Sequence, residues 1–401
     1  MSTNPITPKS ELENRLNFLR EKLVEKDLDG ALIVQNSDLF YFAGTIQQSH
    51  LYIPKDDEPV LLVRKSLRRA QTESSIANIL PLQTPKALPD LFKKRGLKPP
   101  ATLGMELDVL PTNLFFSYQT IFNKTKISDI SHEIRTIRSQ KSEYEIMRIR
   151  ASAHLADQVA AKIPEYLTPG IPEIELAAKI ESYARALGHQ GIIRMRLFGM
   201  ELFYGHIMAG STAAIESYLA SPTGGAALTP AVAQGPSHRP ILPHEPILVD
   251  IAFAYQGYIA DHTRIYALDD LPEDLLTAHQ CMLDIQNTLV NEIKSGAICA
   301  DIYALACDLA RSKGYGEYFM GAGKNAVRFV GHGIGVELDE YPFLAHGQKQ
   351  RLAPNMVIAL EPKLIFPEKG VVGIENSFRV TPDGLERLTL FPDQIHIVYN
   401  R

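Results

Sequence analysis

The segment ILVDIAFAYQGYIADHTRIY, residues 247–266, constrains this chain more than any other. Two runs of apolar and β-branched residues flank Gln256-Gly257, a pair suited to a two-residue hairpin turn. Such a turn pairs Tyr255 with Tyr258 and sets Ala252 opposite Asp261, because side chains alternate faces with period two. Asp250 shares the face of Ala252, so the spacing predicts two carboxylates lying diagonally on one surface of a β-ribbon, close enough to share metal ions. The competing reading has one aspartate capping a turn and the other pairing with Arg264.

Three more residues of metal-ligating type follow. Glu361 succeeds the apolar run Val357 to Leu360 and precedes Pro362, and Glu375 succeeds Val371 to Ile374. Carboxylates embedded in apolar runs are rarely buried unless they are paired or coordinate a metal. Salt bridges to Arg379 or Lys363 are the alternative. His332 stands between Gly331 and Gly333, where the backbone can approach closely and an imidazole nitrogen is left to ligate. One nitrogen and four carboxylates suit hard or borderline divalent ions such as manganese, cobalt or zinc.

The chain of 401 residues carries 41 basic and 46 acidic residues, and its hydrophobic content of 45% supports a sizeable core in two or more domains. With no basic stripe, nucleic acid is not expected as a partner. The first residues lack the continuous apolar stretch of a signal peptide, and no run approaches the length of a spanning helix, so no membrane association and a cytoplasmic location are expected. Cys281, Cys299 and Cys307 are odd in number and without C-x-x-C spacing, which indicates neither a disulfide framework nor a thiolate zinc site.

Ser10 and Glu13 form a capping-box pattern ahead of Leu12, Leu16, Leu19 and Leu23, which predicts an amphipathic helix ending at Gly30. Buried strands at Ala31 to Val34 and Val60 to Val63 begin an α/β domain over residues 1–134. A second domain over 135–401 opens with a helix capped by Ser142 and Glu145. It continues through a helix from Pro172 to Gly188, a Gly/Pro-rich segment from Gly199 to Pro246, and helices Pro272 to Ser295 and Ala300 to Lys313. Strand signals dominate the remainder. Within Arg194 to Tyr204 (RMRLFGMELFY) the aromatic residues are expected to pack into the core, with a substrate entrance as the alternative.

The motifs D-x10-D-x-T-R, G-H-G-I-G, L-E-P and I-E-N, in the order Asp, Asp, His, Glu, Glu, resemble those of the M24 metallopeptidases: Xaa-Pro aminopeptidases, prolidases and methionine aminopeptidases. The resemblance implies an α+β fold, a pita-bread catalytic domain preceded by a smaller creatinase-type N-terminal α/β domain of the kind found in proline-specific members. It further implies two divalent ions, manganese first with cobalt, zinc or iron as alternatives. Asp250 would chelate one ion, His332 and Glu361 the other, and Asp261 and Glu375 would bridge both. Glu361 would act as general base toward the bridging water, and the Thr263 hydroxyl could orient a metal-bound carboxylate. A homodimer is the implied assembly and a small peptide or peptide-like molecule the implied substrate.

Three positions depart from the family pattern. Ala233 and Gln234 stand where proline-specific members carry a P-H-G histidine, Asp339 replaces a second substrate-contacting histidine, and Gly373 replaces an arginine. Asp339 would favour a cationic or donor-rich substrate group, or else pair with Arg328 or Lys324. His206 and His238 could supply the missing imidazoles, with His206 and Asp339 joining Glu361 as catalytic candidates. His244 and His262 are expected beside the metal ligands or exposed, and His346 in a turn. The resemblance implies a dinuclear-metal Xaa-Pro aminopeptidase or dipeptidase that cleaves the amide bond before proline. A relative acting on a non-peptide small molecule, by amide or amidine hydrolysis or lyase chemistry, and a non-enzymatic pita-bread binding protein are the alternatives.

Overall fold

Apolar runs punctuated by glycine and proline become the strands of two compact units in the computed structural model, which describes residues 6–202 and 204–399. One unit comprises the chain up to Arg138 with Arg196–Phe198, the other Ser139–Met195 with the chain from Gly199 onward.

The first unit is a six-stranded mixed sheet with strands β1 (Gly30–Ile33), β2 (Ser49–Pro54), β3 (Val60–Val63), β4 (Asn78–Pro81), β5 (Thr102–Met105) and β6 (Lys126–Asp129), in the order β4-β3-β2-β1-β5-β6. The helix Lys9–Glu25 buries Leu12, Leu16, Leu19 and Leu23, as their spacing predicts. Pro8 rather than Ser10 is its N-cap, so the expected capping box does not form. Proline's fixed φ already suits a helix entrance. Gly30 does not end this helix, which stops at Glu25; the glycine opens β1. Arg196 is buried in this unit by ion pairs to Asp38 at 2.9 Å and Asp108 at 2.7 Å.

The second unit holds strands β7 (Gly205–Ala209), β8 (Ile247–Tyr255), β9 (Tyr258–Leu268), β10 (Phe329–Gly333), β11 (Glu340–Ala345), β12 (Val357–Leu360), β13 (Lys363–Phe366), β14 (Gly370–Gly373), β15 (Asn376–Val380), β16 (Leu385–Arg387) and β17 (His396–Val398). They form a four-stranded sheet β17-β9-β8-β7, a five-stranded sheet β11-β10-β12-β15-β16 and the hairpin β13-β14. The helix Glu143–Lys162 starts with the Ser142–Glu145 capping box, and with the helix Glu173–Ala186 it packs on one face of the four-stranded sheet through Ile247, Val249, Ile251 and Phe253. Helices Glu273–Glu292 and Cys299–Ser312 share a second core with Leu344, Ile358, Leu364 and Phe378. The first of these ends three residues before Ser295, because Ile293 turns extended and is buried in that core.

One expectation, that the aromatic residues between Arg194 and Tyr204 pack into the core, is met only in part. Within Arg194 to Tyr204 the described residues form no helix and Phe198 is wholly exposed, whereas Tyr204 packs against the core that includes Ile251 and Phe253, as expected, and Phe203 lies outside the described residues. Gly199, in the left-handed region, and the exposed position of Phe198 leave the middle of this stretch without the apolar contacts that would hold a regular element.

Candidate metal centre

Period-two alternation builds the floor of the site. In β8, Val249, Ile251 and Phe253 face the helices, which turns Asp250 and Ala252 to the opposite face. The hairpin register is as the turn predicts, with Tyr255 opposite Tyr258, Ala252 opposite Asp261 and Asp250 opposite Thr263. Asp261 and Thr263 therefore share the Asp250 face, while His262 and Arg264 point away. Arg264 donates to Asn376 and lies 3.3 Å from Asp393, so it is not the partner of either site aspartate.

Glu375 joins from the other sheet. Thr263 and Glu375 form an isolated β-bridge, which brings the start of β15 against β9. The Thr263 hydroxyl donates to Glu375 Oε2 at 2.8 Å. His332 on β10 and Glu361, just past β12, arrive on neighbouring strands whose register sets His332 opposite Ala359. Gly331 and Gly333 leave no room for side chains: a Cβ would lie 2.3 Å from the Ala359 carbonyl at the first and 2.2 Å from the Tyr341 carbonyl at the second.

His332 is oriented by its own turn. Its Nδ1 donates to the carbonyls of Gly333 and Leu338, both at 3.1 Å, which leaves Nε2 to carry the lone pair. That nitrogen faces Asp261 Oδ2 at 3.8 Å, Glu361 Oε1 at 3.7 Å and Glu375 Oε1 at 3.9 Å. Among the described residues, Asp261, His332 and Glu375 each offer a ligand atom within 4.8 Å of the others. Asp261 Oδ1 is buried without a hydrogen-bond partner among them. A buried, unsatisfied carboxylate oxygen is costly unless a cation meets it, so these residues fit one divalent ion.

The other half of the cluster is arranged differently. Asp250 Oδ2, Glu361 Oε2 and Glu375 Oε2 surround the Lys363 ammonium at 3.1, 2.9 and 2.9 Å. The expectation that Asp250 chelates a metal meets a lysine at that place, and the salt bridge first weighed as an alternative for the glutamates is present. From sequence, Lys363 is expected only as such a salt-bridge partner. A cation two residues beyond Glu361, at the head of the buried run KLIF, was the signal that it lies within the cluster.

Burial and crowding set the charges. Burial, reinforced by the neighbouring Glu375 and Asp250, pushes the Asp261 carboxyl well above its ordinary range. Burial likewise raises Glu375 to about 7 against the pull of Lys363. For His332, burial acts downward, but Asp339, Glu361 and Glu375 together raise it. Lys363 is raised well above its ordinary value by Asp250, Glu361 and Glu375 despite burial.

Asp250, Asp261, His332, Glu361 and Glu375 line one cleft. His206, Gln234 and Asp339 also line it, as do Met195 and Met200, so part of the Arg194 to Tyr204 stretch borders the cleft. His206 sits opposite Asp250 on β7, and the Gln234 amide meets its Nε2. Burial lowers the His206 pKa and keeps the ring neutral. Asp339 Oδ1 lies 3.6 Å from His332 Nδ1, which puts it beside the imidazole.

The remaining histidines are elsewhere. His238 is exposed and does not line the cleft. His244 is exposed beside Asp270, and His346 lies in a turn. His262, expected beside the ligands or exposed, is buried on the opposite face of β9, because an odd offset from Asp261 turns it into the core.

Comparison with known proteins agrees with this architecture. Residues 147–382 match the model of metallopeptidase family M24, and residues 15–140 match that of the creatinase/prolidase N-terminal domain. The chain is 27% identical over 386 residues to an uncharacterized peptidase of Staphylococcus epidermidis, covering 94% of this chain and 99% of the relative. It is 26% identical to the uncharacterized peptidase YqhT of Bacillus subtilis, covering 96% and 100%. Among solved structures, an Xaa-Pro dipeptidase from Bacillus anthracis superposes with a TM-score of 0.82 at 24% identity, covering 96% of this chain and 99% of the other. The prolidase from Pyrococcus horikoshii gives 0.78 at 25% identity, covering 95% and 99%.

Proposed function

The chain belongs to metallopeptidase family M24, with a creatinase-type N-terminal domain ahead of a pita-bread catalytic domain, and on that premise we propose that it cleaves the amide bond before proline in small peptides, as an Xaa-Pro dipeptidase or aminopeptidase. The observation that carries the reading is the convergence of Asp261, His332 and Glu375 on one point in the cleft, with Glu361 Oε1 beside them. The order of these residues and the proline-specific names of the structural neighbours support it.

In this reading Asp261, His332, Glu361 and Glu375 hold a divalent ion, manganese first, which when bound supplies Lewis acidity and lowers the pKa of water. Glu361 takes the proton of the attacking water: its Oε1 faces the cleft side of His332 while Oε2 is held by Lys363. Neutral His206, fixed by Gln234, offers an imidazole edge to the substrate. Asp339 gives the cleft an anionic wall. That wall, with Gln234 bonded to His206, favours as second reading a cationic non-peptide amide or amidine substrate.

No helix among the described residues is long and apolar enough to cross a membrane, which supports the cytoplasmic placement; a homodimer follows from the family resemblance. The deciding experiment is a panel of Xaa-Pro dipeptides and tripeptides assayed with added manganese. Turnover abolished by Glu361→Gln is expected, and no turnover on any member would reject the peptide substrate.

A further inference from the structure

Each carboxylate of the cluster divides its oxygens in a consistent way. Asp250 Oδ2 is paired with Lys363, and Asp261 Oδ2 faces His332 Nε2. The two glutamates span the gap: each gives Oε2 to the Lys363 ammonium and turns Oε1 toward His332 Nε2. The cluster thus has two places for positive charge, one flanked by Asp250 and the other by Asp261 and His332. Lys363 Nζ fills the first.

We infer that Lys363 is a built-in cation that takes the place of one of the two metal ions, so that this site holds a single divalent ion, at Asp261, His332 and Glu375. The inference rests on the metallopeptidase reading above and specifies its cofactor. A metal bound by Asp250 and Glu375 would lie about 2 Å from their oxygens, which is the space between those oxygens and an ammonium already 3.1 and 2.9 Å from them. Like charges so close, with little water between them, exclude one another.

The lysine is also placed by the fold. Its side chain is 1% exposed, and its backbone pairs with Gly373 across β13 and β14. A Cβ at Gly373 would lie 2.6 Å from the Pro362 carbonyl, 2.7 Å from Lys363 Cα and 2.9 Å from Lys363 Cγ, so glycine at that position lets the two strands approach closely enough to set the lysine where it is. An ammonium has three donors, and three carboxylates take them. None is left for substrate, which makes Lys363 a charge-balancing and positioning residue. Four carboxylates against one ammonium and one divalent ion leave a single negative charge.

Metal content tests this directly. Wild type, Lys363→Ala and Lys363→Gln, stripped and reloaded with manganese, would be desalted and analysed for bound ion, with folding checked by circular dichroism. Wild type is expected to hold about one ion per chain and Lys363→Ala about two. Electron paramagnetic resonance of the wild type alone decides the matter if the variants do not fold: an isolated manganese signal supports the inference, and the signal of a spin-coupled pair overturns it. Two ions in wild type, none in wild type, or no gain in well-folded Lys363 variants would each overturn it. Peptide turnover separates the two claims: one ion without turnover sinks the peptide substrate alone, and two ions with turnover sinks the lysine inference alone.

Discussion

Thr263 and Glu375 are joined three times: each backbone N–H bonds to the other's carbonyl, at 3.3 and 3.4 Å, and the Thr263 hydroxyl donates to Glu375 Oε2 at 2.8 Å. This contact, with the Ser377 hydroxyl bonded to the Asp261 backbone and Arg264 bonded to Asn376, ties the ribbon that carries both aspartates to the segment that carries the last glutamate. Thr263→Val keeps the backbone pair and the β-branched shape but removes the donor. Metal affinity is expected to fall about 10-fold, as for other groups that orient a ligand, with little change in melting temperature; calorimetric titration with manganese measures both the affinity and any change in site number.

Asp261 is the carboxylate most dependent on a cation. Burial and its acidic neighbours already favour its neutral form, so Asp261→Asn is expected to leave the metal-free protein as stable as wild type or more so. Manganese affinity should nonetheless fall by about 100-fold or more, because an amide replaces an anionic ligand. Full metal occupancy with unchanged activity would contradict the role assigned to this residue.

Two buried histidines that do not line the cleft give the protein an acid-side instability. Burial pushes His279 down to about 4, partly offset by its hydrogen bond to the Asp393 carbonyl, and His50 is pushed down to about 4 by burial and Arg64. Because the folded state binds fewer protons than the unfolded one, their contribution is full above about pH 6.5 and is lost as pH falls from there toward 4. Each loss is on the order of 3 kcal/mol at most. Urea denaturation across pH 4–8 should show this slope, flattened in His279→Gln.

The turn that orients His332 depends on a buried ion pair. Lys141 Nζ lies 3.0 Å from Glu340 Oε2, and Glu340 Oε1 accepts from the backbone N–H groups of Val336 and Glu337. At Gly335 a Cβ would come within 2.5 Å of the same carboxylate. Lys141→Met strands a buried charge and should cost about 3–5 kcal/mol, with metal affinity reduced as Leu338 and His332 loosen. Adding Glu340→Gln should restore part of the stability, read from the denaturation midpoint.

Asp339→His restores the imidazole that the resemblance expects beside the cleft. Xaa-Pro kcat/KM is expected to rise at least about 10-fold. Unchanged kinetics would shift attention to Gln234 and Lys363 as the residues that set the substrate.

Much of the site was legible because period-two alternation is a local property. The Gln256-Gly257 turn fixes the register of its own hairpin, and register alone carries Asp250 and Asp261 to one face and sends His262 to the other. Apolar runs around Glu361 and Glu375 likewise announced buried carboxylates. The helix boundaries at Gly30 and Ser295 were misplaced because tertiary burial of β1 and of Ile293 overrode the local stop signals. Phe198 was assigned to the core for want of any knowledge of what surrounds it.

By itself, then, the sequence determined the family, the two-domain α+β plan and the kinds of residue that meet in the cleft. Only the tertiary structure decided what each carboxylate meets. Sequence spacing cannot say that Lys363, two residues from Glu361 and twelve from Glu375, aims its ammonium between them and Asp250. That depends on the β13–β14 pairing and on the missing Cβ of Gly373, contacts between residues that the chain brings together only when folded.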